Sequence, residues 1–167
     1  MRITNEILET LASWIEGKRF FLTEPVNRLP RDTVLKPMKL REKVIRVGDV
    51  MTKKPYTARE TDSVEDVSHI MIKHNINQVP IVGDGGRLVG IVTSWDITKA
   101  TAEKKKTLAD FMTRKVVTSR KEDALDVVAR KIEKQGINST PVVDEKGLLT
   151  GIITLSDITR AYREKRR

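Results

Sequence analysis

Leu88-Val89-Gly90-Ile91-Val92-Thr93-Ser94-Trp95-Asp96-Ile97 is matched, 61 residues further on, by Leu149-Thr150-Gly151-Ile152-Ile153-Thr154-Leu155-Ser156-Asp157-Ile158. Each copy is an apolar run that stops at a threonine, with an aspartate three residues later. The run reads as a buried strand, and Thr-x-x-Asp reads as the start of a helix whose first turn carries a carboxylate. The same offset relates Pro80 to Pro141 and Ile76-Asn77 to Ile137-Asn138. A repeat held in register without a gap means that one supersecondary unit has been written twice.

Working outward, each unit reads as strand, helix, strand, strand, helix. In the first, Val47 to Thr52 is a short turn and Pro55 to Ala58 is extended. Asp62 is expected to cap a helix, with Glu65 three residues on, that turns Val64, Val67, Ile70 and Met71 inward and ends near His74. Ile76 to Val82 and Leu88 to Thr93 pair across Gly83-Asp84-Gly85-Gly86, and Ser94 to about Ala102 closes the unit. After Lys104-Lys105-Lys106 the order returns. Leu108 to Met112 is the turn, Val116 to Ser119 is extended, and Asp123 caps a helix with Leu125, Val128 and Ile132 inward. Ser139 to Val143 and Leu148 to Thr154 are the paired strands, and a last helix starts at Ser156. Units of about 50 residues are too small to bury a sheet alone, so the two are expected to pack on one another through their sheets.

Ahead of the repeats, Ile7, Leu8, Leu11, Trp14 and Ile15 give Asn5 to Gly17 one apolar helical face. Phe20-Phe21-Leu22 then need cover, and Pro25, Pro30 and Pro37 mark Thr23 to Arg46 as a connector. The chain therefore divides into an N-terminal helix and linker (1–46), a first repeat (47–102) and a second repeat with a basic tail (103–167).

Bulk properties narrow the function. The chain has no cysteine, which excludes disulfides, thiolate zinc sites and a thiol nucleophile. Its apolar runs are far short of a membrane span, so a cytoplasmic protein with no membrane partner is expected. The net charge of +9 raises nucleic acid as a partner, but the excess gathers in Lys36–Arg46, Lys99–Lys106 and Arg160–Arg167, which are linkers and ends. Few aromatics are available for base stacking, and nucleic acid is not favoured. His69 and His74, five apart on one helix, are poorly spaced for a shared metal, and no catalytic set stands out. The reading is that the chain is not an enzyme and holds no metal.

Met-Thr at the head of each unit, Asn-Ile-Asn-x-x-Pro (Gly-Ile-Asn-x-x-Pro in the second) before its second strand and Gly-Ile-x-Thr-x-x-Asp after it together resemble a tandem cystathionine-β-synthase-type (CBS) domain pair. The resemblance runs from Val47 to Tyr162. It implies an α/β (α+β) fold, two pseudo-twofold-related β-α-β-β-α units packed through their sheets, with two clefts between them. It also implies an adenosyl effector in those clefts: S-adenosylmethionine, methylthioadenosine, AMP or ATP. Leu22-Thr23-Glu24-Pro25-Val26, Ile72 to Asn77 and Thr93-Ser94-Trp95-Asp96 are similar to archaeal homocysteine-biosynthesis proteins. That narrower likeness implies S-adenosylmethionine or methylthioadenosine, and a regulatory part of something longer whose catalytic domain or protein partner lies elsewhere. A homodimer is implied by the family.

The residues carry this on chemical grounds. A carboxylate is acceptor-only and can take both hydroxyls of a ribose, which makes Asp96 and Asp157 the candidates. Thr93, Thr154, Ser94 and Ser156 stand at the helix mouths beside free first-turn N–H groups. Ile76, Asn77, Val79 and Pro80, with Ile137, Asn138, Thr140 and Pro141, are expected to wall the adenine. Thr57 and Thr118 are expected to face the same clefts. A polyphosphate would further draw on Lys53, Lys54, Arg59, Arg120 and Lys121. An aspartate three residues after a threonine is equally an ordinary helix cap, and the motif alone leaves both roles open. Ser94-Trp95 stands against Leu155-Ser156, and Leu155 lacks the hydroxyl of Ser94, so the two clefts need not share one affinity or one ligand.

Overall fold

A computed structural model describes residues 44–165. The helix expected at Asn5 to Gly17, Phe20-Phe21-Leu22, the connector as far as Lys43, and Arg166-Arg167 lie outside the described residues. The elements are α1 (Val47–Val50), α2 (Val64–His74), β1 (Gln78–Val82), β2 (Leu88–Thr93), α3 (Ser94–Ala102), α4 (Leu125–Gln135), β3 (Ser139–Val143), β4 (Leu149–Thr154) and α5 (Leu155–Lys165). Single 3₁₀ turns lie at Asp84–Gly86 and Leu108–Asp110.

The two hairpins are copies in register as well as in sequence. Gln78 pairs with Thr93 and Pro80 with Ile91, while Ser139 pairs with Thr154 and Pro141 with Ile152. A bulge falls between Ile81 and Val82 in one and between Val142 and Val143 in the other. The extended segments expected as first strands shrink to one parallel bridge each, Ala58 with Ile81 and Ser119 with Val142. Proline explains this. Pro80 accepts from the Ala58 amide at 3.2 Å and Val82 donates to Ala58 at 2.9 Å, but the next donor along that edge would be the nitrogen of Pro80, which has no hydrogen. Pro141 stops the second ladder in the same way.

The helices α2 and α4 each begin one residue later than expected, and α5 begins one residue earlier, at Leu155. Asp62 and Asp123 accept the amides of Arg59 and Arg120, at 2.8 and 2.9 Å, and close the turns before the helices. Ser63 is the actual cap of α2: its hydroxyl accepts from the Asp66 amide at 3.0 Å, and its own hydroxyl and amide donate to Asp66 Oδ2, at 2.6 and 3.2 Å. Those bonds, with the Ser63 hydroxyl first, hold the Asp66 carboxyl below its ordinary range. The counterpart cap of α4 is Ala124, with no side-chain bond. Its backbone is already extended (φ −70°, ψ 136°), so Ala124→Ser is expected to stabilise the protein by about 1 kcal/mol. Thermal unfolding should show this as a rise of about 2–4 °C. The helices end alike, at Asn75 (φ 51°) and Gly136 (φ 62°), each in the left-handed conformation.

The units exchange their leading segments. Val47 and Gly48 donate to Asp123 and Lys121 of the second repeat, at 3.0 and 2.9 Å, and Thr52 and Ile152 exchange two bonds of 2.9 Å. Reciprocally, Thr113 and Ile91 exchange two bonds of 3.0 Å. Leu108 and Met112 complete the core formed by Ala58, Val67, Met71, Val79, Ile81 and Val92. A cut between residues 102 and 103 therefore separates the sequence repeats while the cores are shared across it. Counterpart residues also meet each other. Ser139 donates to the side chain of Gln78, and Arg87 bridges to Leu148. Residues 61 apart can touch only where the pseudo-twofold axis passes between them.

Candidate functional site

Thr93 ends β2 in an extended conformation and caps α3. Its amide and hydroxyl both donate to Asp96 Oδ2, at 2.9 and 2.7 Å, and its Oγ1 accepts from the Asp96 amide at 3.2 Å. The second copy repeats this closely, with 3.0, 2.8 and 3.2 Å for Thr154 and Asp157. The Asn77 carbonyl accepts from the Ser94 amide at 2.9 Å, and Asn138 from Leu155 at 3.0 Å. In both units the asparagine, threonine and aspartate thus converge in one hydrogen-bonded knot where the hairpin meets its helix.

The capping role that the motif left open is realised. The same box occurs at Ser63/Asp66 and at Thr107/Asp110. Shelter sets two of the four apart: Asp66 and Asp110 are exposed, whereas the side chains of Asp96 and Asp157 are only 19% and 9% exposed. Capping also consumes one oxygen, Oδ2, and a carboxylate offers about four acceptor positions. Oδ1 takes no part in the cap, so capping does not itself compete with a ligand hydroxyl. The first-turn amides are another matter. Two of those expected to be free in each helix are spent on the asparagine carbonyl and the threonine hydroxyl.

The other expected residues divide. Ser94, Ser156, Asn77 and Asn138 are exposed, Ile76 and Ile137 half-buried, and Ile76 packs against the first core. Thr57 and Thr118 each precede a parallel bridge, which sets them beside β1 and β3; the Thr118 carbonyl accepts from Lys131 at 3.0 Å. Pro80 and Pro141 are buried. Two side chains are turned away from any wall. Val79 lies in the first core, and Thr140 is fully buried with its hydroxyl 2.9 Å from that of Ser119. The two-residue period of a strand groups Val79 with Ile81 and Thr140 with Val142, all core-facing. Only backbone is left for a ligand there. Lys53, Lys54, Arg59, Arg120 and Lys121 are all exposed. His69 lies beside Glu65 at 3.7 Å, while His74 stacks on Tyr56 with ring centroids 3.7 Å apart.

Two residues not singled out from the sequence stand at the carboxylates. Lys99 Nζ lies 4.0 Å from Asp96 Oδ1, and Arg160 Nη2 donates to Asp157 Oδ1 at 2.6 Å. The three-residue helical spacing was the available signal. Among the described residues, no helix is long and apolar enough to cross a membrane.

The comparisons with known proteins follow the same lines. The CBS domain family matches twice, at residues 47–103 and 108–164. An L-aspartate semialdehyde sulfurtransferase of Methanocaldococcus jannaschii is 44% identical over 99% of this chain, and that match covers 32% of the relative. A homoserine O-acetyltransferase of Methanococcoides burtonii is 44% identical over 68% of the chain and 23% of the relative. The chain thus spans about a third or less of the length of these curated relatives. Among solved structures, a CBS domain pair crystallised with 5′-methylthioadenosine and S-adenosyl-L-methionine superposes with a TM-score of 0.70. It is 45% identical, over 74% of this chain and 99% of that one. CBSX2 of Arabidopsis thaliana in complex with AMP gives 0.69 at 26% identity, over 73% of this chain and 98% of that one. With two family matches at the spacing of the internal repeat and hairpins in identical register, the chain belongs to the CBS domain family, as a tandem pair.

Proposed function

We propose that the pair is a ligand-sensing regulatory module that binds adenosyl compounds, S-adenosylmethionine or methylthioadenosine before others, in clefts between its repeats. The observation that carries this reading is the 45% identity with a pair crystallised with both compounds. The chemistry supports it: a sheltered carboxylate with one oxygen beyond its cap can accept the ribose hydroxyls, at Asp96 in one unit and Asp157 in the other. Thr93, Thr154, Ser94 and Ser156 flank the sugar in this reading. Thr57 and Thr118, with the Ile76-Asn77 and Ile137-Asn138 segments and the backbone at Val79, Pro80, Thr140 and Pro141, line the base.

In this reading the chain itself is not an enzyme. The relatives named as enzymes are matched over a third of their length or less, and catalysis belongs to a domain or partner protein that reads the ligand-dependent change. The ligand moves the two units, or two copies of the pair in a cytoplasmic homodimer, only insofar as it binds one arrangement more tightly than the other. An AMP- or ATP-sensing module is the second reading, favoured by the AMP-bound plant pair.

Calorimetric titration with S-adenosylmethionine, methylthioadenosine, AMP and ATP tests both. Saturable binding of the sulfur compounds, tighter than that of AMP and little changed by added salt, is expected. Binding of none of the four sinks the proposal. An affinity for oligonucleotides that collapses with salt would instead support a phosphate-driven nucleic-acid surface.

A further inference from the structure

Lys99 and Arg160 are counterparts, each three residues after its aspartate, and the structure treats them differently. Arg160 occupies Asp157 Oδ1 at 2.6 Å, so both oxygens of that carboxylate are engaged. Lys99 stands 4.0 Å from Asp96 Oδ1, beyond hydrogen-bond reach, with its ammonium 5.7 Å from the centroid of the Trp95 ring. The residue types account for the contrast. A guanidinium presents a planar fork suited to a carboxylate, whereas an ammonium is a flexible point charge that an indole face also attracts. The counterpart of Trp95 is Ser156, which offers Arg160 no such face.

We infer that Arg160 is a built-in competitor for the sugar-binding oxygen of the second repeat, so that the Asp157 site disfavours uncharged nucleosides relative to phosphate-bearing ones. The inference rests on the ribose reading above. For a ribose hydroxyl to take Asp157 Oδ1 as its own, the guanidinium must leave or share it. The Arg160 side chain is 61% exposed and free to swing, while the carboxylate it leaves is 9% exposed. An uncharged nucleoside forfeits a charge-assisted bond and leaves the cation without a partner. A nucleoside monophosphate returns a partner to it. Among the described residues Asp96 Oδ1 has no such bond to lose, so one pair can hold two different adenosine compounds.

The test isolates the second site with Asp96→Ala and compares it with Asp96→Ala/Arg160→Met by calorimetry, using methylthioadenosine and AMP. Asp96→Asn, which keeps an acceptor for the Thr93 amide, serves as background if the alanine variant does not fold. Methylthioadenosine is expected to tighten at least fivefold on removing Arg160, while AMP does not tighten. A smaller gain for methylthioadenosine, or an equal gain for AMP, overturns the inference. If the parent chain binds neither compound, the ribose reading itself fails and this inference falls with it. If the parent binds but the variants do not behave as stated, only the role of Arg160 is lost.

Discussion

Replacing both sheltered aspartates, Asp96→Ala with Asp157→Ala, is expected to weaken binding of methylthioadenosine and S-adenosylmethionine by at least about a hundredfold. A hydrogen bond to a charged group contributes about 1.5–3 kcal/mol, and each carboxylate in the proposed complex takes two from the sugar. At about 1.4 kcal/mol per factor of ten, losing the pair at each site exceeds two orders of magnitude. The same substitutions dismantle two capping boxes, so some stability goes with them. A lost cap costs about 1 kcal/mol, which lowers the melting temperature without unfolding the pair. Asp96→Asn with Asp157→Asn separates the two effects. An amide oxygen still accepts the Thr93 and Thr154 amides, but it carries no charge and cannot grip two hydroxyls as a carboxylate does. The asparagine variant should therefore melt close to the parent yet bind poorly. A folded double-alanine variant that binds within threefold of the parent would falsify the assignment of ribose to these carboxylates.

The largest expected effect on stability lies at Gly151, away from both carboxylates. A Cβ there would stand 2.8 Å from the Thr52 carbonyl oxygen and 2.7 Å from Met51 Sδ. The sulfur could move, but the oxygen belongs to a backbone pinned to Ile152 by two bonds of 2.9 Å. Gly151→Val is therefore expected to destabilise the protein by about 3 kcal/mol, the upper end of the usual overpacking cost. Met51→Ala should not rescue it. Gly90, the counterpart, meets Met112 Sδ at 2.8 Å but the Thr113 carbonyl only at 3.2 Å. Its nearest neighbour is a flexible side chain, so Gly90→Ala should cost less than Gly151→Ala. Urea titrations, read as midpoint shifts at unchanged slope, measure both. A Gly151→Val protein as stable as its parent would mean that the first leading segment does not lie against the second hairpin.

The repeat, the strand pairs and the helices were legible in the residues because each is a local pattern. A two-residue alternation or a helical period needs only neighbours a few positions away, and duplication printed each pattern twice. The Thr-x-x-Asp motif was legible for the same reason, down to the choice between capping and binding that it could not resolve. The helix starts were misplaced by one residue because Asp62 and Asp123 look like caps. Which of two adjacent polar residues closes the helix depends on backbone angles, and Asp62 and Asp123 instead close the preceding turns on Arg59 and Arg120.

By itself, then, the sequence determined that one α/β unit occurs twice, where its hairpins and, to within a residue, its longer helices lie, and that each copy sets an acid at a helix mouth. Only the tertiary structure decided that the leading segments cross over, pairing Thr52 with Ile152 and Thr113 with Ile91. It also decided that Val79 and Thr140 turn to the core, and that one carboxylate holds an arginine while the other, among the described residues, has only its own cap within hydrogen-bond reach. Contacts between residues far apart in the chain depend on which surfaces meet when two small cores pack. No periodicity within either copy encodes that choice.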